Sequence, residues 1–287
     1  MRPRSRQSRG VREVLFRIGA IACLVAALGV LAVLLGSILV TAAPMLRPEL
    51  VTNFPSTTNP WRAGYWPAIV GTLYVVALTL LFALPLGVAA GIYLEEYAPP
   101  GRLTRLLQAG VANLAGVPSV VFGLLGLALF VRPPLALGPS VIAAALTLTL
   151  LVFPYVVVTT QESLRAVPRS LREASLAIGA TRWQTIRGQV VPAAAPGLLT
   201  GSILAASRAL GETAPLIVLG SVVLLTIPPW DLSAPFVVLS VQIYAFIGLP
   251  GAGFQAVAAA GMVVLLGMLL LFNGLAIVAR NRLQRKR

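Results

Sequence analysis

Residues 139–160 read Pro-Ser-Val-Ile-Ala-Ala-Ala-Leu-Thr-Leu-Thr-Leu-Leu-Val-Phe-Pro-Tyr-Val-Val-Val-Thr-Thr, without a charged residue from end to end. A helix rising 1.5 Å per residue needs ~20 such residues to cross the ~30 Å hydrocarbon layer of a bilayer. In lipid a helix satisfies its own backbone hydrogen bonds, which an isolated strand cannot do. Pro139–Thr160 is therefore expected to span a membrane as a helix. Five further segments read the same way: Ile18–Ala43, Pro67–Leu94, Gln108–Val131, Pro196–Ile227 and Ala252–Ala279. The expected fold is all-α, a polytopic membrane protein with six transmembrane helices. The first segment is too long for the ~7–15 residues of a signal-peptide core, so it is expected to stay as an anchor.

Composition supports this. The chain is 58% hydrophobic and only 10% charged, against ~25% charged in an average soluble domain. Too few charges remain to coat a water-facing surface. Absences exclude several chemistries. There is no His, so imidazole acid–base catalysis and His-ligated metal are out. The single Cys, Cys23, sits in an apolar run and reads as a packing residue. The single Lys, Lys286, is far from any Gly-rich turn, so no P-loop can form and the chain cannot bind ATP by that route. No Gly-x-Ser-x-Gly elbow is present.

The net charge of +14 is distributed by loop. Six Arg lie in residues 1–17, two in 95–107, five in 161–195, and four Arg with Lys286 after Ala279. The alternate loops carry only Arg47, Arg62 and Arg132. Eighteen basic residues thus face three. By the positive-inside rule both termini are expected in the cytoplasm, N-in and C-in. The charge is a topology signal and gives no reason to expect nucleic acid.

One loop on the basic side is long, 161–195. Pro168 suits a first helical turn, and Arg-Ser-Leu-Arg-Glu-Ala-Ser-Leu-Ala-Ile follows at helical periodicity. Gly179 is a natural stop, and Thr181-Arg182-Trp183-Gln184 offers a capping box for a second short helix. Such an elbow either docks a cytoplasmic partner or is a solvated connector.

The segment Glu173-Ala174-Ser175, with Gly179 and Pro192 at their spacing, resembles the EAA loop of ATP-binding-cassette importer permeases. Gly91-Ile92-Tyr93-Leu94-Glu95-Glu96-Tyr97, Ala115–Leu124 and Ser207-Arg208-Ala209-Leu210-Gly211-Glu212-Thr213-Ala214-Pro215-Leu216 resemble the PstA-type permease subunits of phosphate importers. The resemblance implies a type I importer permease fold and Glu173, Ala174 and Gly179 as ATPase-coupling residues. It implies a PstC-like partner permease, two copies of a cytoplasmic ATPase and an external phosphate-binding protein. It also implies no cofactor in this chain, ATP and Mg belonging to the ATPase. The expected location is the plasma (inner) membrane of a bacterium or archaeon. The same kind of permease could carry another oxyanion such as molybdate, tungstate or sulfate. An ion-coupled secondary transporter would need ionisable relays in several spans, and Glu212 is the one mid-membrane carboxylate.

On these readings the chain divides into a basic tail (1–17), a first helix with an external loop (18–66), a permease unit (67–279) and a second basic tail (280–287). In the fifth segment Arg208 lies about twelve residues in, near mid-membrane, with Glu212 one turn on along the same face. Gly197, Gly201 and Ala205 extend that face and permit close helix approach. Pro215 cannot donate to the carbonyl of Gly211, so the helix is expected to kink or open there. The expected substrate-path residues are Arg208, Glu212 and Thr213. The alternative for Arg208 and Glu212 is a salt bridge that only locks helices together. Asn113, Pro118 and Ser119 interrupt the third segment, and Pro235–Ile247 reads as a short re-entrant or interfacial helix.

Overall fold

The computed structural model describes residues 6–221, 228 and 230–285. The end of the fifth segment, 222–227, lies outside the described residues, as do the outermost residues of both basic tails. Helix α1 (Arg6–Ala42) is followed by short turns and α2 (Glu49–Thr52). Then α3 (Trp66–Ile92) runs on through a wider π turn, Tyr93–Tyr97. Helices α4 (Arg102–Ala115) and α5 (Ser119–Gly126) precede α6 (Val141–Arg165). The elbow holds α7 (Arg169–Ala177) and α8 (Arg182–Thr185), and α8 leads through a π turn into α9 (Val191–Gly211). Helices α10 (Ala214–Val218), α11 (Leu239–Ile247) and α12 (Ala252–Arg285) complete the chain. Among the described residues there is no strand, only an isolated bridge between Ser140 and Pro235.

Among the described residues five helices are long and apolar enough to cross a membrane, and α4 with the stretch after Pro118, bent by 103°, makes a sixth where the pair counts as one span. The third segment is thus broken at the interruption that Pro118 and Ser119 made expected. Pro118 lacks an N–H and disfavours helical geometry at Val117, so the chain turns between Gly116 and Pro118. The basic stretches 6–17 and 280–285 are continuous with α1 and α12.

Helix α6 runs through the middle. Ala143, Ala144, Leu148, Val152, Val157 and Leu164 are all inaccessible to solvent, as expected of a helix that is apolar all round. The core stacks in layers along it. At the basic end Leu164 meets Val190 and Ala194. At mid-bundle Val152 meets Ala83, Ala205 and Ala209. Beyond these, Leu148 meets Val75, Leu216 and Phe236, and at the far end Leu50, Tyr65, Phe246 and Val257 close the bundle.

The α6–α9 seam is as close as the small-residue face suggested. A methyl on Gly201 would come within 2.7 Å of Thr159 Oγ1, and one on Gly197 within 2.5 Å of Ser163 Oγ. Gly201→Leu is accordingly expected to destabilise the permease by about 1–3 kcal/mol, the usual scale of overpacking. Gly29→Leu, with nothing within 4 Å, serves as the control. Thermal loss of the monodisperse peak of the solubilised protein measures both, and equal stability of the two variants would contradict the seam.

Helix α1 stands apart. Its apolar side chains are exposed along most of its length, and Cys23 is exposed rather than packed. Only its last turns touch the bundle, where Ile38 and Ala42 pack with α12 in the far-end cluster.

The short helix expected over Pro235–Ile247 is found as α11, and it is a plug more than a surface element. Leu239 N–H donates to Thr72 Oγ1 (2.8 Å), and Gln242 Nε2 donates to the carbonyl of Gly64 (2.9 Å). Phe246 sits edge-on to Tyr65 and stacks on Phe254.

Candidate functional site

Two places on α9 and its flanks gather the chemistry: the elbow at the basic end and a helix break at mid-bundle.

The elbow folds by local rules. Pro168 is the last non-helical residue before α7. After α7, Gly179 takes φ +87°. Gly179 N–H donates to Leu176 O (3.0 Å) and Ala180 N–H to Ser175 O (3.2 Å), the paired bonds of a Schellman turn. Thr181 and Gln184 then form the expected capping box. Ser175 Oγ lies 2.9 Å from Thr185 Oγ1 and pins the two helices together. Glu173 and Ala174 are exposed on the outer side of α7. Beside them Leu176, Ile178 and Trp183 are 50%, 86% and 57% exposed. This is an apolar knob that no described residue covers, the kind of patch that marks a protein contact.

The structure adds residues to this site that carried no role in the sequence reading. The end of α3 supplies two carboxylates to the elbow's arginines. Arg172 reaches Glu96 Oε1 with both Nη2 (2.6 Å) and Nε (3.2 Å). The same guanidinium donates to the carbonyls of Val167 (2.8 Å) and Leu164 (2.9 Å) at the end of α6. Arg182 donates to the carbonyl of Glu96 and lies over the ring of Tyr97, 5.2 Å from its centroid. Arg165 pairs with Glu95 at 2.9 Å. One acidic corner, Glu95 and Glu96, thus fastens α6, α7 and α8. An open cleft of about 610 Å³ lies between this corner and Arg169 and Glu173 of α7.

At mid-bundle, α9 ends at Gly211, and Glu212 is extended (φ −73°, ψ 127°). The fifth segment therefore breaks outright before Pro215. Pro215 falls in the first turn of α10, where its missing N–H is no loss. Arg208 Nε reaches Glu212 Oε1 at 3.3 Å, with the two side chains 35% and 15% exposed. Glu212 O accepts from Ser240 Oγ of α11 (3.2 Å), and Thr213 Oγ1 donates weakly to Gly211 O (3.5 Å). Arg208 adjoins Ala205 and Ala209, which share a layer with Val152 of α6, so it sits at the level of the bundle's middle. Across the break, α5 abuts α10: a methyl on Gly123 would come within 2.7 Å of Pro215 Cα. The helix after the bend of the third segment thus packs on the helix after the break of the fifth. On its other side α9 is tied to α12 by Ser207 Oγ with Asn273 Oδ1 (2.5 Å) and by Arg280 Nη1 with Thr200 Oγ1 (2.9 Å). Among the described residues no group of His, Cys, Asp and Glu could hold a metal ion.

A long basic elbow, a broken span beside a charge pair and five to six apolar spans are matched by one family model, "Binding-protein-dependent transport system inner membrane component", over residues 83–285. The chain belongs to that family. Relatives include "Probable ABC transporter permease protein YqgH" of Bacillus subtilis, 36% identical over 79% of this permease and 78% of that protein. "Phosphate transport system permease protein PstA" of Haemophilus influenzae is 32% identical over 84% and 83% of the two chains. "Phosphate transport system permease protein PstA 1" of Mycobacterium tuberculosis is 42% identical over 55% of this permease and 52% of its own length. In fold, the permease is similar to a bacterial alginate ABC transporter, with a TM-score of 0.69 over 95% of the chain at 18% identity. The permease is a multi-pass membrane subunit of an ABC importer, without catalysis of its own; ATP is hydrolysed by a separate subunit. Its family implies an ATPase partner and a substrate-binding protein.

Proposed function

We propose that this permease forms half of the path for inorganic phosphate in an ATP-driven importer, beside a PstC-like permease, two ATPase copies and an external phosphate-binding protein. The phosphate reading is carried by its likeness, over 84% of the chain, to a protein named as a phosphate permease. Arg208 fits that cargo. A guanidinium presents paired N–H groups to oxyanion geometry, and Glu212 keeps the site from holding an anion too firmly. Thr213 adds a hydroxyl beside the break. The elbow, with Glu173, Ala174 and Gly179, passes the ATPase motion to the bundle through the knob of Leu176, Ile178 and Trp183. The deciding experiment is ATP hydrolysis by the assembled complex in proteoliposomes, stimulated by phosphate with its binding protein and unaffected by molybdate or sulfate. Stimulation by molybdate or sulfate in place of phosphate would reassign the cargo.

The arginine-rich end of the bundle faces the cytoplasm in this reading, with both termini inside. A reporter fused after Arg287 is expected to score as cytoplasmic, and one inserted in the loop before Pro60 as external. An external score at Arg287 would reverse the topology. Gly179 tests the elbow itself. Its positive φ costs a residue with a Cβ roughly 1–2 kcal/mol, while a methyl there meets nothing within 4 Å. Gly179→Val is therefore expected to lower uptake severalfold and Gly179→Asn to be nearly silent, because Asn tolerates the left-handed region. Equal effects would show that the turn geometry is not what matters.

A further inference from the structure

The basic end holds another cleft, which the elbow does not line. It lies between α4 and the last turns of α6, encloses about 370 Å³, and is bordered by Arg105, Gln108, Gln161, Glu162 and Arg165. Gln161 is only 6% exposed, and its Nε2 is buried without a hydrogen-bond partner. An unpaired buried amide is costly, so a group that accepts its hydrogen bond would stabilise this place. Two more donors stand near. Among the described residues Arg105 donates from Nε to the carbonyl of Gly101, the cap of its own helix, at 3.4 Å. Gln108 Nε2 reaches the carbonyl of Leu94 at a marginal 3.5 Å.

The charges balance in a particular way. Arg165 is neutralised by Glu95 at 2.9 Å. Glu162 makes no ion pair within 4 Å among the described residues, although its charge also bears on Arg165, and it borders the same cleft as Arg105. The lining is polar on one side and apolar on the other. Arg105 and Glu162 border the cleft together with Ala109 and Ala112, one and two turns on along α4, and Val158, one turn back along α6. Alongside, α4 exposes Leu103, Leu106 and Leu107. Neighbouring donors, a carboxylate with no close ion pair and apolar lining side chains match a molecule with a phosphodiester, an ammonium and hydrocarbon tails.

We propose that this cleft binds one phospholipid with an amine head group. The phosphodiester sits on Arg105 and the amides of Gln108 and Gln161, the ammonium on Glu162, and the acyl chains along Ala109, Ala112 and Val158. Free phosphate shares the anion chemistry, but it gives Glu162 no counter-charge and leaves the apolar wall wet. The transported cargo plays no part in this assignment, so a cargo other than phosphate would leave it standing.

The assembled importer, exchanged exhaustively into detergent, is expected to retain about one phosphatidylethanolamine per copy of this permease by lipid mass spectrometry. Arg105→Gln combined with Gln161→Leu should lower that retention at least tenfold, with the complex eluting intact. Glu162→Gln should shift retention towards phosphatidylglycerol. Retention unchanged by the paired substitution overturns the site. Should that variant fail to assemble, the wild-type complex still decides: equal retention of phosphatidylethanolamine and phosphatidylglycerol overturns the head-group assignment. Equilibrium dialysis of the same complex against radiolabelled inorganic phosphate covers the other source. Phosphate bound there, lost with Glu162 intact on Arg105→Gln and with no lipid retained, makes the free anion the occupant and overturns the lipid.

Discussion

Permease carrying Glu96→Gln is expected to assemble with its ATPase yet lose at least nine-tenths of its uptake. Glu96 is the one acceptor shared by both arms of the elbow, through its carboxylate to Arg172 and its carbonyl to Arg182. Its side chain is 10% exposed and that of Arg172 21%. Removing one member of a fully buried pair costs about 3–5 kcal/mol, because the other charge is left unpaired; this pair is slightly wet, so the loss is smaller. It falls on a joint and not on the bundle core, so the chain should stay folded while α3 no longer follows α7. The readout is ATP hydrolysis that persists but ceases to respond to the binding protein. Arg172→Lys should be intermediate, since lysine keeps the charge and loses the bidentate fork. Exchanging the two residues should not rescue, because a carboxylate at position 172 would face the carbonyls of Leu164 and Val167. Wild-type uptake by Glu96→Gln would end the view that α3 is driven through this corner.

Arg208→Gln is expected to abolish phosphate uptake, again with the complex assembled. The pair with Glu212 is long, 3.3 Å, and Arg208 is 35% exposed. It does not look like a lock tightened for stability. A lone Arg at mid-membrane costs at least ~2.5–3.5 kcal/mol on insertion scales, so a purely structural pair would be better replaced by apolar residues. Joint replacement of Arg208 and Glu212 by Gln separates the two roles. If the pair only joins helices, this neutral version transports normally; if Arg208 handles the anion, it assembles and transports poorly. The second outcome is the one expected. Arg208→Lys should retain a minor part of the uptake.

The spans were legible because lipid demands length and apolarity together, and both can be read residue by residue. The turn at Gly179 and the cap at Thr181 were legible because they are decided within a few residues. The break at Glu212 was only half visible. Pro215 signals a disturbed helix, but whether the chain kinks or opens depends on what receives the freed groups, and Ser240, 28 residues on, takes the Glu212 carbonyl. The acidic corner was missed for a similar reason. Glu95 and Glu96 are 70 and more residues from Arg165 and Arg172 in sequence. The signal was present as charge complementarity: two adjacent acids at the exit of one span, and an elbow with five arginines on the same side. The interruption at Pro118 was read from the proline, but the size of the bend, 103°, depends on packing that the sequence does not state.

The far-end contact between α1 and α12 has a consequence for how the protein is made. About 210 residues separate Ala42 from Ala252. At ~5–20 residues per second a ribosome needs roughly 10–40 s to cover them. Throughout that interval the first helix lacks α12, the helix it packs against most among the described residues, while the helices of the bundle gather beside it. Joining α1 to α12 then waits for α12 to be made, and it closes a loop of about 210 residues out of 287. A nascent permease stalled before its final helix would hold a nearly complete bundle with an untethered arm.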